Sequence, residues 1–242
     1  MLLKDKIALV TGAGAGIGRA VAELYAQQGA HVILLGRTQA KLEETSDLIA
    51  VAGGRAIILP LDLENGLDRI PAAVMAVHER FGRLDILVNN AGILGTLTPL
   101  EHFDTVLWEQ VLRINVTAPF FLTREFIPLL KKSSDASVIN VVSTVAFKGR
   151  AFWGAYAASK AALVNMTETW SGESPSLGIR FNTVNPGATR TSMRRIAYPG
   201  EDPNTLPTPQ QVAKVFLYLA SHFSHTVRGQ HLNAQDWLQW PL

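Results

Sequence analysis

Cysteine is absent from all 242 residues. Disulfides, thiol nucleophiles and thiolate metal sites are thereby excluded. Charge of neither sign dominates: 22 Lys and Arg stand against 20 Asp and Glu, and charged residues make up only 17% of the chain. No Lys/Arg cluster is dense enough to suggest a nucleic-acid surface. Long apolar runs are missing too. The opening MLLKDKIALVTG places a charged Lys-Asp-Lys before a four-residue apolar run, too short for a signal-peptide core or a membrane span. A cytoplasmic protein with no membrane partner is the expectation. The histidines form no convincing metal set, since His222 and His225 suit capping of helix-end carbonyls better than metal binding. No metal is expected.

What the chain does have is apolar residues, 48% of the total. At this length they suit one large α/β domain over residues 1–242 better than two small ones. Strand-like runs at Ile7–Val10, His31–Leu35, Arg55–Leu61, Leu84–Val88, around Asn140, Gly178–Val184 and Thr226–Leu232 alternate with helix-periodic segments. That alternation predicts a parallel sheet covered by helices on both faces. Between the last two runs, residues 188–209 turn polar and carry Pro199, Pro203, Pro207 and Pro209, which suggests an active-site lid. The tail from Gln235 to Leu242 is too apolar to be a free end, and is expected to dock on its own core or on another subunit.

Chemistry concentrates in NVVSTVAFKGRAFWGAYAASK, residues 140–160. Tyr156 and Lys160 are four apart, so a helix sets them on one face, and Ser143 precedes the tyrosine at the end of a strand. An ammonium beside a phenol favours phenolate, and a nearby hydroxyl can hold a carbonyl oxygen against it. Alone, the pair reads more simply as a packed phenol beside a solvated cation. The helix bearing it is expected to reach about Trp170 and to break at Ser171-Gly172-Glu173-Ser174-Pro175.

The N-terminal half changes the weighing. A strand leads into Thr11-Gly12-Ala13-Gly14-Ala15-Gly16-Ile17-Gly18 and then a helix, the context in which glycines and a helix N-terminus bind a pyrophosphate; an ordinary tight turn is the alternative. After the second strand stand Gly36 and Arg37, with no carboxylate. An acidic residue there would bind a ribose 2′-hydroxyl, whereas Arg accommodates a 2′-phosphate, so NADP(H) is expected over NAD(H), which stays possible if Arg37 is merely solvated. Asp62, just past the third strand, suits an adenine contact or a helix cap. Asn89-Asn90-Ala91-Gly92 ends the fourth strand where parallel sheets bind ligands, and is also good turn chemistry. Asn115 sits among apolar residues in a helical stretch from about Thr105 to Lys131, where its amide needs partners.

Taken in order, Thr11-Gly12-x-x-x-Gly16-x-Gly18, Asp62, Asn89-Asn90-Ala91-Gly92, Asn115, Ser143, Tyr156-x-x-x-Lys160 and Pro186-Gly187-x-x-x-Thr191 span nearly the whole chain. The set resembles the single-domain short-chain dehydrogenase/reductase family, and LLGRT, WGAYAASK, NPGATRT and TLPTPQ are similar to its YciK-type branch. The resemblance implies a three-layer Rossmann fold, an α/β architecture with a seven-stranded parallel sheet of order 3-2-1-4-5-6-7, and a homodimer or homotetramer. It implies that Tyr156 is the general acid/base, that Ser143 positions the substrate oxygen, that Lys160 holds the nicotinamide ribose and lowers the tyrosine pKa, and that Asn115 anchors a relay water. Gly12, Gly16, Ile17 and Gly18 would surround the pyrophosphate, with Asp62 and Leu63 at the adenine. Asn89, Ala91 and Gly92 would flank the riboses, and Pro186, Gly187, Thr189 and Thr191 the carboxamide. The family's C-terminal Asp-Gly-Gly is replaced here by Ala234-Gln235-Asp236.

The expected activity is a carbonyl reductase or alcohol dehydrogenase acting on a small molecule; a non-catalytic dinucleotide-binding sensor or partner protein would keep the fold without the intact Tyr and Lys. Segments expected to line the substrate pocket mix Leu94, Phe147, Phe152, Trp153 and Met193 with Lys148, Arg150, Arg194 and Arg195. They suggest an apolar carbonyl compound with an anionic group, or cations that simply face water.

Overall fold

The computed structural model describes residues 1–240; Pro241 and Leu242, the end of the apolar tail, lie outside the described residues. Seven strands form one parallel sheet: β1 (Ile7–Thr11), β2 (His31–Gly36), β3 (Arg55–Pro60), β4 (Ile86–Asn89), β5 (Ala136–Val141), β6 (Ile179–Asn185) and β7 (His231–Asn233), in the order 3-2-1-4-5-6-7. The central strands are buried at every position because both faces are covered, which is why they read as near-continuous Val, Ile and Leu runs.

Alternation along each strand divides the apolar side chains between two cores. Ala8, Val10, Val32 and Leu34 point to one face, where they meet α1 (Gly16–Gln27), α2 (Gln39–Val51) and α8 (Pro209–Ala220) through Val21, Leu42 and Phe216. Ile7, Leu9, Ile33 and Leu35 point to the other, against α3 (Ile70–Phe81) and α5 (Ala118–Leu130) through Val77, Leu122 and Phe126. Two helices flank this second layer: α4 (Thr105–Leu112) and α6 (Gly154–Leu177). Short α7 (Ser192–Ala197) interrupts the proline-rich stretch 188–209. Among the described residues no helix is long and apolar enough to cross a membrane, and no three acidic or histidine side chains gather as a metal site would need.

One expectation about a helix needs correction. The helix that carries Tyr156 does not break at 171–175 but continues to Leu177, with Pro175 inside its last turn. Packing overrides the poor propensity of SGESPS: Trp170 stacks on Phe181 at 5.7 Å and Leu177 joins the second core, while Ser174 is buried with its hydroxyl on the carbonyl of Ile179. Gly178 then ends the helix in the left-handed region, φ 69°. The stretch Thr105–Lys131 is helical as expected, with residues Arg113–Thr117 forming a π-turn between α4 and α5.

The tail docks on its own chain. Trp237 lies 4.3 Å from the Tyr218 ring, and Lys214 Nζ donates to the carbonyls of Leu238 (3.1 Å) and Trp240 (3.0 Å).

Candidate active site

The loops after β1, β4, β5 and β6 all open at one edge of the sheet, because the parallel register brings Val10 level with Val88, Asn89 with Asn140, and Val141 with Val184. Strand order reverses between β1 and β4, and such a switch point leaves a crevice for ligands. Thr11 fastens the two sides together. Its hydroxyl accepts from the N–H groups of Asn90 and Ala91, both at 2.9 Å, and donates to the Val88 carbonyl at 3.2 Å. The Asn90 amide returns a bond to the Thr11 carbonyl at 2.8 Å.

Glycine is required at two positions of this junction. Gly12 sits at φ +66°, and a Cβ there would lie 2.9 Å from Asn90 Nδ2; at Gly18 a Cβ would lie 2.3 Å from the Gly12 carbonyl oxygen. Helix α1 therefore starts hard against the loop after β4. Its N-cap is Ala15, whose side chain accepts nothing from the first turn, so those N–H groups remain available to an anion. One cavity here is lined by Gly12, Gly16, Ile17, Ala91, Tyr156 and Lys160, among others. A second extends from Gly12 and Gly92 to Gly36, Arg37, Asp62 and Leu63. Glycine walls, a helix N-terminus and a polar far end fit a dinucleotide.

Tyr156 and Lys160 lie one turn apart on α6, both buried. Lys160 Nζ donates to the Val141 carbonyl at 2.8 Å and lies 5.6 Å from the centre of the Tyr156 ring. Burial pushes the Tyr156 phenol up to about 12, with the Ser143 hydroxyl opposing the shift, and brings Lys160 down to about 8. The expectation that Lys160 lowers the tyrosine pKa is therefore not met in this arrangement. Desolvation of the phenolate dominates, Ser143 is the group that opposes it, and the Lys160 ammonium is turned to a carbonyl. With a pKa near 8 the lysine still keeps most of its proton at pH 7.

The π-turn supplies Asn115. Its amide donates to the Ile93 carbonyl (2.9 Å) and to Ser159 Oγ (3.0 Å), while its oxygen accepts from Ile93 N–H (2.9 Å). The extra residue per turn is what directs this fully buried side chain between the β4 loop and α6. Gly92 must be small for the same reason, since a Cβ there would come within 3.1 Å of Asn115 Oδ1.

With this geometry in place, similarity to known proteins becomes informative. Residues 6–202 match the short chain dehydrogenase family. The chain belongs to that family. It is 40% identical over 237 residues to the uncharacterized oxidoreductase YciK of Escherichia coli K12, covering 97% of this chain and 93% of the relative. A solved short chain dehydrogenase from Pseudomonas syringae superposes with a TM-score of 0.94 at 47% identity, covering 97% of this chain and 96% of that one. One from Shigella flexneri 2a, solved in complex with NADP, gives a TM-score of 0.94 at 40% identity, covering 97% and 98%.

Within this dehydrogenase fold the expected residues divide into groups. Gly12, Gly16, Ile17, Ala91, Gly92, Tyr156, Lys160, Pro186 and Thr191 line the cavity above the switch point, and Arg37, Asp62 and Leu63 the one beyond it. Asp62 does not cap a helix: it closes a turn, accepting from Glu64 N–H at 3.0 Å and from the Asn65 amide at 3.0 Å. The Glu64 N–H is the main cause that holds its carboxyl below the usual range; partial burial opposes, and Asn65 and the Arg37 charge assist. Ser143, Gly187 and Thr189 line an adjoining cavity with Leu94, Trp153, Tyr156 and Met193. Gly18 and Asn115 support the walls from behind. Asn89 departs from expectation: its side chain is buried in the sheet, donating to Asn140 Oδ1 (2.8 Å) and Thr123 Oγ1 (3.2 Å), and its neighbour Asn90 lines the cavity instead. Alternation along the strand is the reason, since consecutive side chains point opposite ways. The same rule applied to NNAG would have found Asn90. Val142 and Ile114, which also line the cavities, carry no local signal beyond being apolar.

Proposed function

We propose that the protein is an NADPH-dependent carbonyl reductase, interconverting a ketone or aldehyde with an alcohol, with Tyr156 as general acid/base. The observation that carries this reading is that Tyr156 and Ser143 line one cavity while Tyr156 and Lys160 line the next, so one phenol faces both a glycine-walled crevice and a separate apolar chamber. When bound, the nicotinamide cofactor donates or accepts the hydride. The protein supplies position and protons. Ser143 holds the substrate oxygen, and Tyr156, protonated at neutral pH, donates its proton to that oxygen as negative charge builds on it. Lys160, fixed by the Val141 carbonyl, lines the crevice beside the phenol and would hold the nicotinamide ribose there. Asn115 holds Ile93 and Ser159 in place beneath them.

Preference for NADPH is supported by Arg37, an exposed guanidinium at the far end of the crevice where no carboxylate replaces it at the end of β2. The structural relative solved with NADP points the same way. Segment 188–209 serves as the lid, since Thr191, Met193 and Arg194 reach the chamber wall from it. Titration with NADPH and NADH, followed by nicotinamide fluorescence, tests the cofactor assignment. NADPH should bind at least about tenfold tighter, as expected for a charge-assisted phosphate contact, and Arg37→Ala should erase the difference. Equal affinities in the wild type would reduce Arg37 to a bystander.

A further inference from the structure

Beyond the chamber that holds Tyr156 and Ser143 lies a larger cavity, about 490 Å³ against about 110 Å³. The two share Ser143, Trp153, Gly187 and Arg194, so they adjoin along a wall that includes the serine. Only the larger one reaches Lys148 and Arg150, and neither has a carboxylate among its lining residues.

The three cations of the larger cavity are not equivalent. Arg194 is neutralised: Nε and Nη2 make a two-pronged ion pair with Glu201, both bonds at 2.6 Å, and its guanidinium lies 3.7 Å from the Tyr198 ring centre. Arg150 is positioned but not neutralised. It donates to the Tyr198 hydroxyl and stands over the rings of Tyr198 (5.4 Å) and Trp153 (5.9 Å), a placement that fixes a guanidinium without cancelling its charge. Lys148 has no ion-pair partner among the described residues and stands on the same loop, two residues earlier. Arg195, which the sequence grouped with these three, lines neither cavity.

We propose that Lys148 and Arg150 form an anion subsite that selects carbonyl substrates bearing a negatively charged head group. This rests on the carbonyl reductase reading above. The carbonyl occupies the small chamber at Ser143 and Tyr156. Its apolar portion lies against Trp153, and the anionic end crosses past Ser143 into the cavity where two uncompensated cations meet it. Arg194, paired with Glu201, is a charge-neutral part of the wall that the two cavities share.

The test compares 4-oxo-4-phenylbutanoate with its methyl ester, which differ in the charge alone at nearly constant shape. With NADPH present, the wild type should reduce the acid with the higher kcat/KM, and the advantage should shrink as salt rises. Lys148→Gln and Arg150→Gln should each lower kcat/KM for the acid by about tenfold, the usual worth of a hydrogen bond to a charged group, through KM, and leave the ester unchanged. Lys148→Glu should invert the preference, and Arg195→Gln should change neither substrate. Equal losses on acid and ester, or no preference for the acid in the wild type, would overturn the subsite.

Failure of the underlying reading looks different: neither compound is reduced although NADPH binds. Calorimetric titration of the acid and the ester into NADP-saturated protein then decides the subsite independently of turnover. Acid binding that is tighter than ester binding and lost in Arg150→Gln supports it; equal binding overturns it.

Discussion

The two edges of the sheet bury charge in opposite ways. At the edge where the strands begin, Arg180 is fully buried and every arm is engaged: Nη2 on Asp135 at 2.9 Å, and Nη1 on the Leu219 carbonyl at 2.8 Å and on Ser224 Oγ at 2.6 Å. Asp85 at the same edge accepts from Ile7 N–H at 2.8 Å, from Arg83 and from Ser133. At the edge where the strands end, Lys160 is equally buried but has one hydrogen bond, and Asn89 Oδ1 is buried with none. Where charge serves the fold it is saturated with partners. Burial lowers the pKa of Arg180 and of Lys160 alike, but facing the crevice Lys160 is left with a single partner.

The comparison can be broken from the functional edge first. Tyr156→Phe should leave NADPH affinity and melting temperature close to wild type and cut carbonyl reduction by ~10²–10⁴-fold, the usual contribution of an acid/base group. Single-turnover absorbance at the nicotinamide band would measure it, and near wild-type turnover would remove Tyr156 from the chemistry.

At the opposite edge the loss should appear in stability. Arg180→Met strands Asp135, two carbonyls and a serine that now share one guanidinium, and should cost about 3–5 kcal/mol, as breaking a buried ion pair does. Urea unfolding would register it; a change under about 1 kcal/mol would show that the network does not hold the fold at this edge.

Lys160 sharpens the contrast through pH. Its folded pKa of about 8 lies below the ordinary 10.5, so below pH 8 both states hold the proton and folding bears the full desolvation penalty. Between pH 8 and 10.5 the unfolded chain binds more protons than the native one, and stability contributed by this site rises with pH. Lys160→Met, which lacks the penalty, should be more stable than wild type at pH 7, and the gap should narrow steadily up to pH 10.5. Parallel melting curves from pH 6 to 10 would measure it, and a pH-independent gap would contradict the shift.

Much of this could be read before any coordinates. Period-two and period-3.6 patterning separated strands from helices, and the glycine loop, Arg37 and the Tyr156/Lys160 pair stand at the strand ends that open the crevice. Legibility failed where non-local contacts decide. Nothing near Pro175 says that Trp170 will stack on Phe181 and hold the helix together through poor residues. Arg194 and Arg150 look alike in sequence, and only folding gives Glu201 to the first and two aromatic rings to the second. The sign of the Tyr156 shift was missed because the spacing of two residues reveals their proximity and says nothing of how much water the surrounding core removes.

The π-turn at Arg113–Thr117 also carries a message about inheritance. A turn with one extra residue is, in gene terms, a one-codon insertion inside an otherwise ordinary helix. Removing that codon would restore regular winding and leave α5 in phase, because the wide turn is what absorbs the extra residue. Asn115 would lose the offset that sets it between Ile93 and Ser159, while Leu122 and Phe126 would keep their places in the second core. The extra residue thus serves the site alone: the fold would outlast its loss, and the placement of Asn115 would not.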